Sequence, residues 1–173
     1  WQCLNMIARV YVERELKKLD RLYSQASSGT DPYLPKHYSK LAVLELCGWT
    51  EECMDDLTAR HTKRKRLREP NNIDFVKKEI IKKNFGFSYD HHFRKMLIQT
   101  IGIIELERLE KKMNQTRKGS LEAALTKLHP ERNSHAHVTI RTARTFTAPS
   151  LCVALFKDIQ NGLLEYEKWL KKL

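Results

Sequence analysis

The segment Leu41-Ala42-Val43-Leu44-Glu45-Leu46-Cys47-Gly48-Trp49 is apolar on nearly every side when it is drawn as a helix. A helix at the protein surface carries its apolar residues on one stripe, whereas a helix that is apolar nearly all round is buried. The segment belongs to a helix that we predict from about His37 to the mid-60s, where charged residues take over. We therefore predict that it forms the centre of an all-α core.

Helical periodicity continues on both sides of this segment. A first helix is predicted from the stripe Leu4, Ala8, Val12, Leu16, Leu19, Tyr23 and Ala26. Later helices are predicted over 73–85, 91–115, 121–128 and 130–137, where Pro130 suits the first turn of a fresh helix, and from Thr147 to the end, with 138–146 as a loop or extended stretch. We see no repeat or change of composition, so the prediction is one domain, residues 1–173, folded as a bundle of five or six helices.

Length and composition exclude several classes of protein. The chain has 173 residues, of which 41% are hydrophobic and 31% are charged. A chain of this size buries roughly 70% of its surface on folding and needs no metal or disulfide to build a core. The composition argues against disorder and collagen. No apolar run approaches the roughly 20 residues that cross a bilayer, so we expect a soluble protein without a membrane partner.

The cysteines favour a reducing compartment. Cys3, Cys47, Cys53 and Cys152 lie far apart and form no CxxC pair, which argues against a zinc site or a disulfide framework. We predict reduced, mostly buried thiols of a cytoplasmic protein. The chain begins at Trp1 without Met or a signal region, which is compatible with a domain cut from a longer protein.

The charge is strongly positive. Lys and Arg number 32 against 21 Asp and Glu, a net charge of +11. This excess favours a polyanionic partner such as nucleic acid, but an acidic protein or membrane surface would also fit. Six cations lie within nine residues: Arg60, Lys63, Arg64, Lys65, Arg66 and Arg68. This cluster can be an RNA-binding edge, with Arg64 and Arg66 as contacts, or a solvated helix end whose charges suit the helix dipole.

The segment Glu131-Arg132-Asn133-Ser134-His135-Ala136-His137 concentrates the residues useful for phosphate chemistry. Asn133 and His137 are four apart, so a helix places them on one face. Arg132 offers a cation with bidentate geometry, Asn133 an amide, and His137 an imidazole that exchanges protons near neutral pH. These groups suffice for RNA cleavage by the neighbouring 2′-hydroxyl, without a metal.

These residues resemble a known family. Arg132 to His137 reads R-N-x-x-x-H, a common form of the R-x4-6-H signature of HEPN domains. The stretch from Leu44 to Glu52 and the sequence Val138-Thr139-Ile140 are similar to the RiboL-PSP branch of these proteins. The resemblance covers most of the chain as topology but only about a dozen residues as motif. Many HEPN proteins are endoribonucleases of toxin–antitoxin and antiviral-defence systems.

The resemblance implies a homodimeric, cofactor-free endoribonuclease, controlled by an antitoxin or a regulatory domain. Arg132 would bind the scissile phosphate, His137 would be the acid–base group, and Asn133 would orient one of them. His135 would line the rim of the site as an RNA contact, or serve as a second catalytic imidazole. Arg141 and Arg144 follow the motif closely and are candidates for RNA contacts.

Other interpretations stay open. In one, His137 is an ordinary imidazole at a helix end and Arg132 pairs with Glu131 or another neighbour. A metal site at His129, His135 and His137 is less favoured because no Cys or clear carboxylate partner is near. Trp49 is expected in the core or a dimer interface. The main alternative function is a non-catalytic HEPN-like module that binds RNA or a partner, or dimerises, within a larger defence protein.

Overall fold

The structure, a computed structural model, describes residues 7, 10–64, 67, 69–137 and 147–173. Its α-helices are α1 (Val10–Ser27), α2 (Leu34–Arg64), α3 (Pro70–Phe75), α4 (Lys95–Ile101), α5 (Ile103–Lys112), α6 (Gln115–His137) and α7 (Pro149–Leu170). There are also two π-helical segments. Val76–Ile81 directly follows α3, and Tyr89–Arg94 directly precedes α4. The described part of the chain contains no strand, which confirms the all-α prediction, although seven α-helices replace the five or six expected.

The apolar segment 41–49 lies in the middle of the bundle, as predicted. In α2, Ala42, Val43, Leu46 and Cys47 are buried, and the helix packs against α1, α6 and α7. Trp49 is also buried, with its ring 4.8 Å from that of Phe156 in α7. Trp49 is therefore a core residue. Leu41 and Leu44 lie on the remaining side of the helix, where they are 44% and 39% exposed.

The predicted stripe of the first helix holds in its described part. Val12, Leu16 and Leu19 are buried in α1 against α2 and α7. The helix ends at Ser27, one residue after Ala26, the last position of that stripe. Periodic spacing of apolar residues alone identified this element.

The prediction of one long helix over 91–115 is wrong. Gly102 has φ of 83° and ψ of 153°, so the chain turns between α4 and α5. Without a Cβ, glycine adopts this positive φ at little cost. The helix predicted over 73–85 begins earlier, because Pro70 occupies its first turn, and its helical part ends at Ile81.

The C-terminal helix α7 packs against helices from both the first and the second half of the chain. It packs against α1, α2 and α6. The Tyr166 hydroxyl lies 2.6 Å from that of Tyr89, which donates to the Glu110 carboxylate at 2.7 Å. These bonds connect α7 to α5 and to the π-helical segment Tyr89–Arg94. Within the described ranges, none of the helices combines the length and the apolar content that a bilayer span requires.

Candidate active site

The motif lies on the last two turns of α6. This helix runs unbroken from Gln115 to His137 with Pro130 inside it, so the predicted division into 121–128 and 130–137 is wrong. A proline lacks the N–H that would bond four residues back. Packing of α6 against α7 and α2 keeps the helix continuous despite that loss. Its start is also earlier than predicted, because the Asn114 carbonyl oxygen Oδ1 accepts a 3.0 Å hydrogen bond from the Arg117 amide.

Arg132 is exposed and lies beside α2. Burial raises the pKa of Glu51 on α2, and the positive charge of Arg132 opposes that rise. Cys47 is affected in the same way: burial, Cys152 and Glu51 raise its pKa to about 12, while Arg132 acts against them. The guanidinium is open to solvent, and its charge acts on two groups of the central helix, Glu51 and Cys47.

A half-buried acidic patch on α2 adjoins Arg132. Asp55 lies one turn beyond Glu51, and burial together with Glu51 and Glu52 raises the pKa of Asp55 to about 6. With a pKa of about 6, Asp55 is still mostly ionised at pH 7, so this part of α2 carries negative charge.

The Asn133 side chain contacts His129, which lies one turn earlier on the same face of α6. Its amide nitrogen Nδ2 lies 3.4 Å from Nδ1 of His129, one turn earlier, and both side chains are exposed. The amide is the donor in this pair, so the proton of a neutral His129 ring is on Nε2. The contact orients Asn133 along the helix face that leads toward position 137.

Glu131 attaches the motif to α7. Its carboxylate oxygen Oε2 accepts a 2.6 Å hydrogen bond from the hydroxyl of Thr147, just before α7 begins. Burial and the negative charge of Glu131 raise the pKa of Cys152, in the first turn of α7, to about 12. Sequence analysis missed this role of Glu131, because nothing in the local pattern relates it to a residue sixteen positions on.

The remaining motif residues are placed only by their backbone. Positions 135 to 137 complete the last turn of α6, one turn beyond Arg132 and Asn133. The side chains of His135 and His137 lie outside the described residues, as do Arg141, Arg144 and Arg66 in full. The predicted loop or extended stretch over 138–146 also lies outside the described residues.

Three residues of the basic cluster, Lys65, Arg66 and Arg68, lie outside the described residues, and the described Arg60 and Arg64 differ in their surroundings. Arg64 is exposed on the last residue of the helix, where a cation suits the dipole. Arg60 faces inward: its guanidinium lies 2.8 Å from Asp56 and 2.5 Å from Glu167, and its side chain is only 12% exposed. Arg60 therefore joins α2 to α7 and is not part of an RNA-binding edge.

Two further observations concern metal binding and similarity to known proteins. Among the described residues, no group of three His, Cys, Asp or Glu side chains is placed to hold a metal ion. No protein-family model, curated protein or solved structure matches this chain.

Proposed function

We propose that this chain is a metal-independent endoribonuclease with a HEPN-like fold. The observation that carries the proposal is the exposure of Arg132 and Asn133 on one turn of α6, next to the helix turn of His137 and bonded to α7 through Glu131. A solvent-facing turn bearing a guanidinium and an amide, with a histidine on the next turn of the helix, suits recognition of a phosphodiester.

In this mechanism a base removes the 2′-hydroxyl proton, and O2′ attacks the adjacent phosphorus. The P–O5′ bond breaks as an acid protonates O5′, which leaves a 2′,3′-cyclic phosphate and a 5′-hydroxyl. Arg132 offsets the charge that builds on the phosphorane, His137 transfers the proton, and Asn133 orients the phosphate or the ring. RNA contacts from His135, Arg141, Arg144, Arg64 and Arg66 complete the substrate path in this proposal.

The proposed enzyme is a homodimer. One imidazole cannot act as base and acid in the same step, whereas two facing copies of His137 can. A twofold axis through the site would bring both copies of the motif to one phosphate. In keeping with the family resemblance, we place the enzyme in the cytoplasm as a toxin or antiviral-defence nuclease that an antitoxin or regulatory domain controls.

The test is incubation of total RNA with the wild type, Arg132→Ala and His137→Ala, with and without EDTA. We expect fragments with 5′-hydroxyl and cyclic phosphate ends from the wild type, unaffected by EDTA. Each variant should lose about 10²-fold or more in rate while it keeps the wild-type helical circular dichroism spectrum. Cleavage that EDTA abolishes, or variants as active as the wild type, would contradict the proposal.

Subunit mixing tests the composite site. An equal amount of His137→Ala protein, exchanged into a fixed amount of wild type, puts half of the wild-type protomers into mixed dimers. The cleavage rate should then fall to about half if each site needs both imidazoles. An unchanged rate would mean that each protomer works alone.

The second candidate function is a non-catalytic module that binds RNA or a partner protein, or dimerises. The net charge of +11 and the exposed Arg64 favour it. It predicts binding of RNA without new 5′-hydroxyl ends, and unchanged binding by His137→Ala.

A further inference from the structure

Three of the protein's seven histidines meet in one groove outside the motif. The groove has a volume of about 510 Å³ and lies between the π-helical segment Tyr89–Arg94 and the middle of α6. Ser88, His91 and His92 line it on one side, and Thr126 and His129 line it from α6. Clefts of roughly 300 to 1,000 Å³ commonly hold small ligands. We call this the histidine groove.

The histidine groove is continuous with the motif. Leu125 and His129 line it from α6. Asn133, one turn further on, approaches His129 at 3.4 Å. Residues four apart lie on one side of a helix, and position 137 is the next in this series. A ligand that extends along this face from the groove therefore reaches the motif.

One wall of the groove is fixed. Nδ1 of His92 accepts a 3.2 Å hydrogen bond from the Ser88 amide. The ring also packs against the backbone of Gly86, where a Cβ would lie 2.9 Å from its Cε1 atom. Gly86 has φ of 119°, so a larger residue would be strained there as well as obstructed. Burial, and then the neighbouring His91, His129 and Lys95, lower the pKa of His92, which favours the neutral form of its ring.

On the other wall of the groove, the His129 ring packs against a buried aromatic ring. The His129 ring lies 6.0 Å from the ring of Phe87, centroid to centroid, and Phe87 is buried. His129 is exposed above it, and His91 is exposed across the groove. The groove therefore offers solvent-facing imidazoles on a rigid base.

The lining of the groove selects a class of ligand. Imidazole rings stack on unpaired RNA bases, and imidazole and hydroxyl groups bond to base edges and phosphates. None of the described residues that line the groove carries a carboxylate, so an anionic ligand meets no like charge from them. An unpaired nucleotide satisfies these conditions better than a cation or a purely apolar molecule does.

We propose that the histidine groove binds an unpaired nucleotide of the RNA substrate next to the scissile phosphate, with its base against His91 and His129. This inference rests on the proposed function, because it assigns the substrate's path into that site. It makes His91 a substrate-binding residue that touches RNA but takes no part in proton transfer. It also predicts a preference for single-stranded RNA, since a paired base could not enter.

The test uses a fluorescein-labelled, fully 2′-O-methylated RNA oligonucleotide, which lacks the 2′-hydroxyl needed for cleavage. Its binding is measured by fluorescence anisotropy with wild type, His91→Ala, His91→Phe and the control His37→Ala, an exposed histidine that does not line the groove. We expect His91→Ala to weaken binding about tenfold, because loss of one stacking contact has this effect. His91→Phe should bind like the wild type, since a phenyl ring also stacks.

On cleavable RNA, His91→Ala should raise KM about tenfold and leave kcat nearly unchanged. His37→Ala should match the wild type in both assays. The inference is overturned if His91→Ala binds the methylated oligonucleotide as tightly as the wild type does, or if the wild type does not bind it. A wild type that binds this oligonucleotide through His91 but never cleaves RNA would refute the proposed function and leave the groove as an RNA site.

Discussion

The hydroxyl of Thr147 donates a 2.6 Å hydrogen bond to the carboxylate of Glu131, the residue immediately before Arg132. Thr147 lies just before α7, whereas Glu131 belongs to α6, so the bond connects the end of α6 to the start of α7. Because Glu131 lies inside the last turns of α6, the bond also holds the backbone of the motif against the start of α7. Precise placement of a catalytic turn depends on such supporting contacts.

Removal of this bond should loosen the motif. Thr147→Val keeps the shape of the side chain but cannot donate, which leaves the half-buried Glu131 carboxylate without that partner. We expect amide exchange over residues 131–137 to accelerate about fivefold, equivalent to roughly 1 kcal/mol, and RNA cleavage to slow. Hydrogen exchange followed by mass spectrometry measures the first effect.

The matched control for that experiment is Thr100→Val. The Thr100 hydroxyl bonds to the Met96 carbonyl within its own helix, so its loss should not affect the motif. Equal exchange over 131–137 in the two variants would show that the Thr147 bond does not hold the end of α6.

The contact between α6 and α7 depends on Gly162. A Cβ at Gly162 would lie 2.5 Å from the Cβ of Leu121, closer than two such atoms can approach. Gly162→Ala should therefore force the helices apart and lower the free energy of unfolding by about 1 to 3 kcal/mol. Urea denaturation gives the value.

At Gly48 the same change, glycine to alanine, should have the opposite effect on stability. It is exposed in α2, and nothing lies within 4 Å of a Cβ built there. Gly48→Ala should raise the free energy of unfolding by about 0.5 to 1 kcal/mol, because glycine is a poor helix former. A Gly162→Ala protein as stable as Gly48→Ala would show that α6 and α7 are not closely packed there.

Asp55 should make stability depend on pH. Its pKa rises from the ordinary 3.8 to about 6 in the folded protein, chiefly through burial. Between these values the folded state binds more protons than the unfolded state, so the free energy of unfolding falls as the pH rises. Asp55→Asn removes this loss and should be more stable than the wild type at pH 8, by about 1 to 2 kcal/mol, since the carboxyl is partly solvated.

At pH 3.5 the Asp55→Asn and wild-type proteins should be nearly equal in stability, because the wild-type carboxyl is then mostly protonated in both states. Unfolding curves at several pH values between 3.5 and 8 measure the difference. If Asp55→Asn were more stable than the wild type by the same amount at every pH, the added stability would come from packing and not from the ionisation of Asp55.

The sequence predicts the elements whose apolar residues follow a clear period. The burial of α2 around Val43 and Leu46 follows from its run of apolar residues, and that of Val12, Leu16 and Leu19 in α1 follows from helical spacing. The continuity through Pro130 does not, because proline usually interrupts a helix, and the break at Gly102 does not, because the apolar period continues past that glycine. In both cases the surrounding packing decides the outcome, and packing involves residues distant in sequence.

The candidate site shows the same limit. The sequence places Arg132, Asn133 and His137 on adjacent turns because they are close along the chain. It gives no indication that Arg60 pairs with Glu167, or that His91 and His92 face His129 across a groove. Such contacts depend on how helices cross, which a single sequence does not reveal.

The central claim is that a 2′-hydroxyl, activated at the Arg132 and His137 site, cuts the RNA chain. The most direct measurement compares cleavage of an RNA oligonucleotide with that of the same molecule carrying one 2′-deoxy nucleotide at the mapped scissile position. The mechanism predicts that this single change abolishes cutting there and leaves binding of the oligonucleotide intact. Cleavage of the deoxy-substituted bond at the rate of the unmodified one would contradict it.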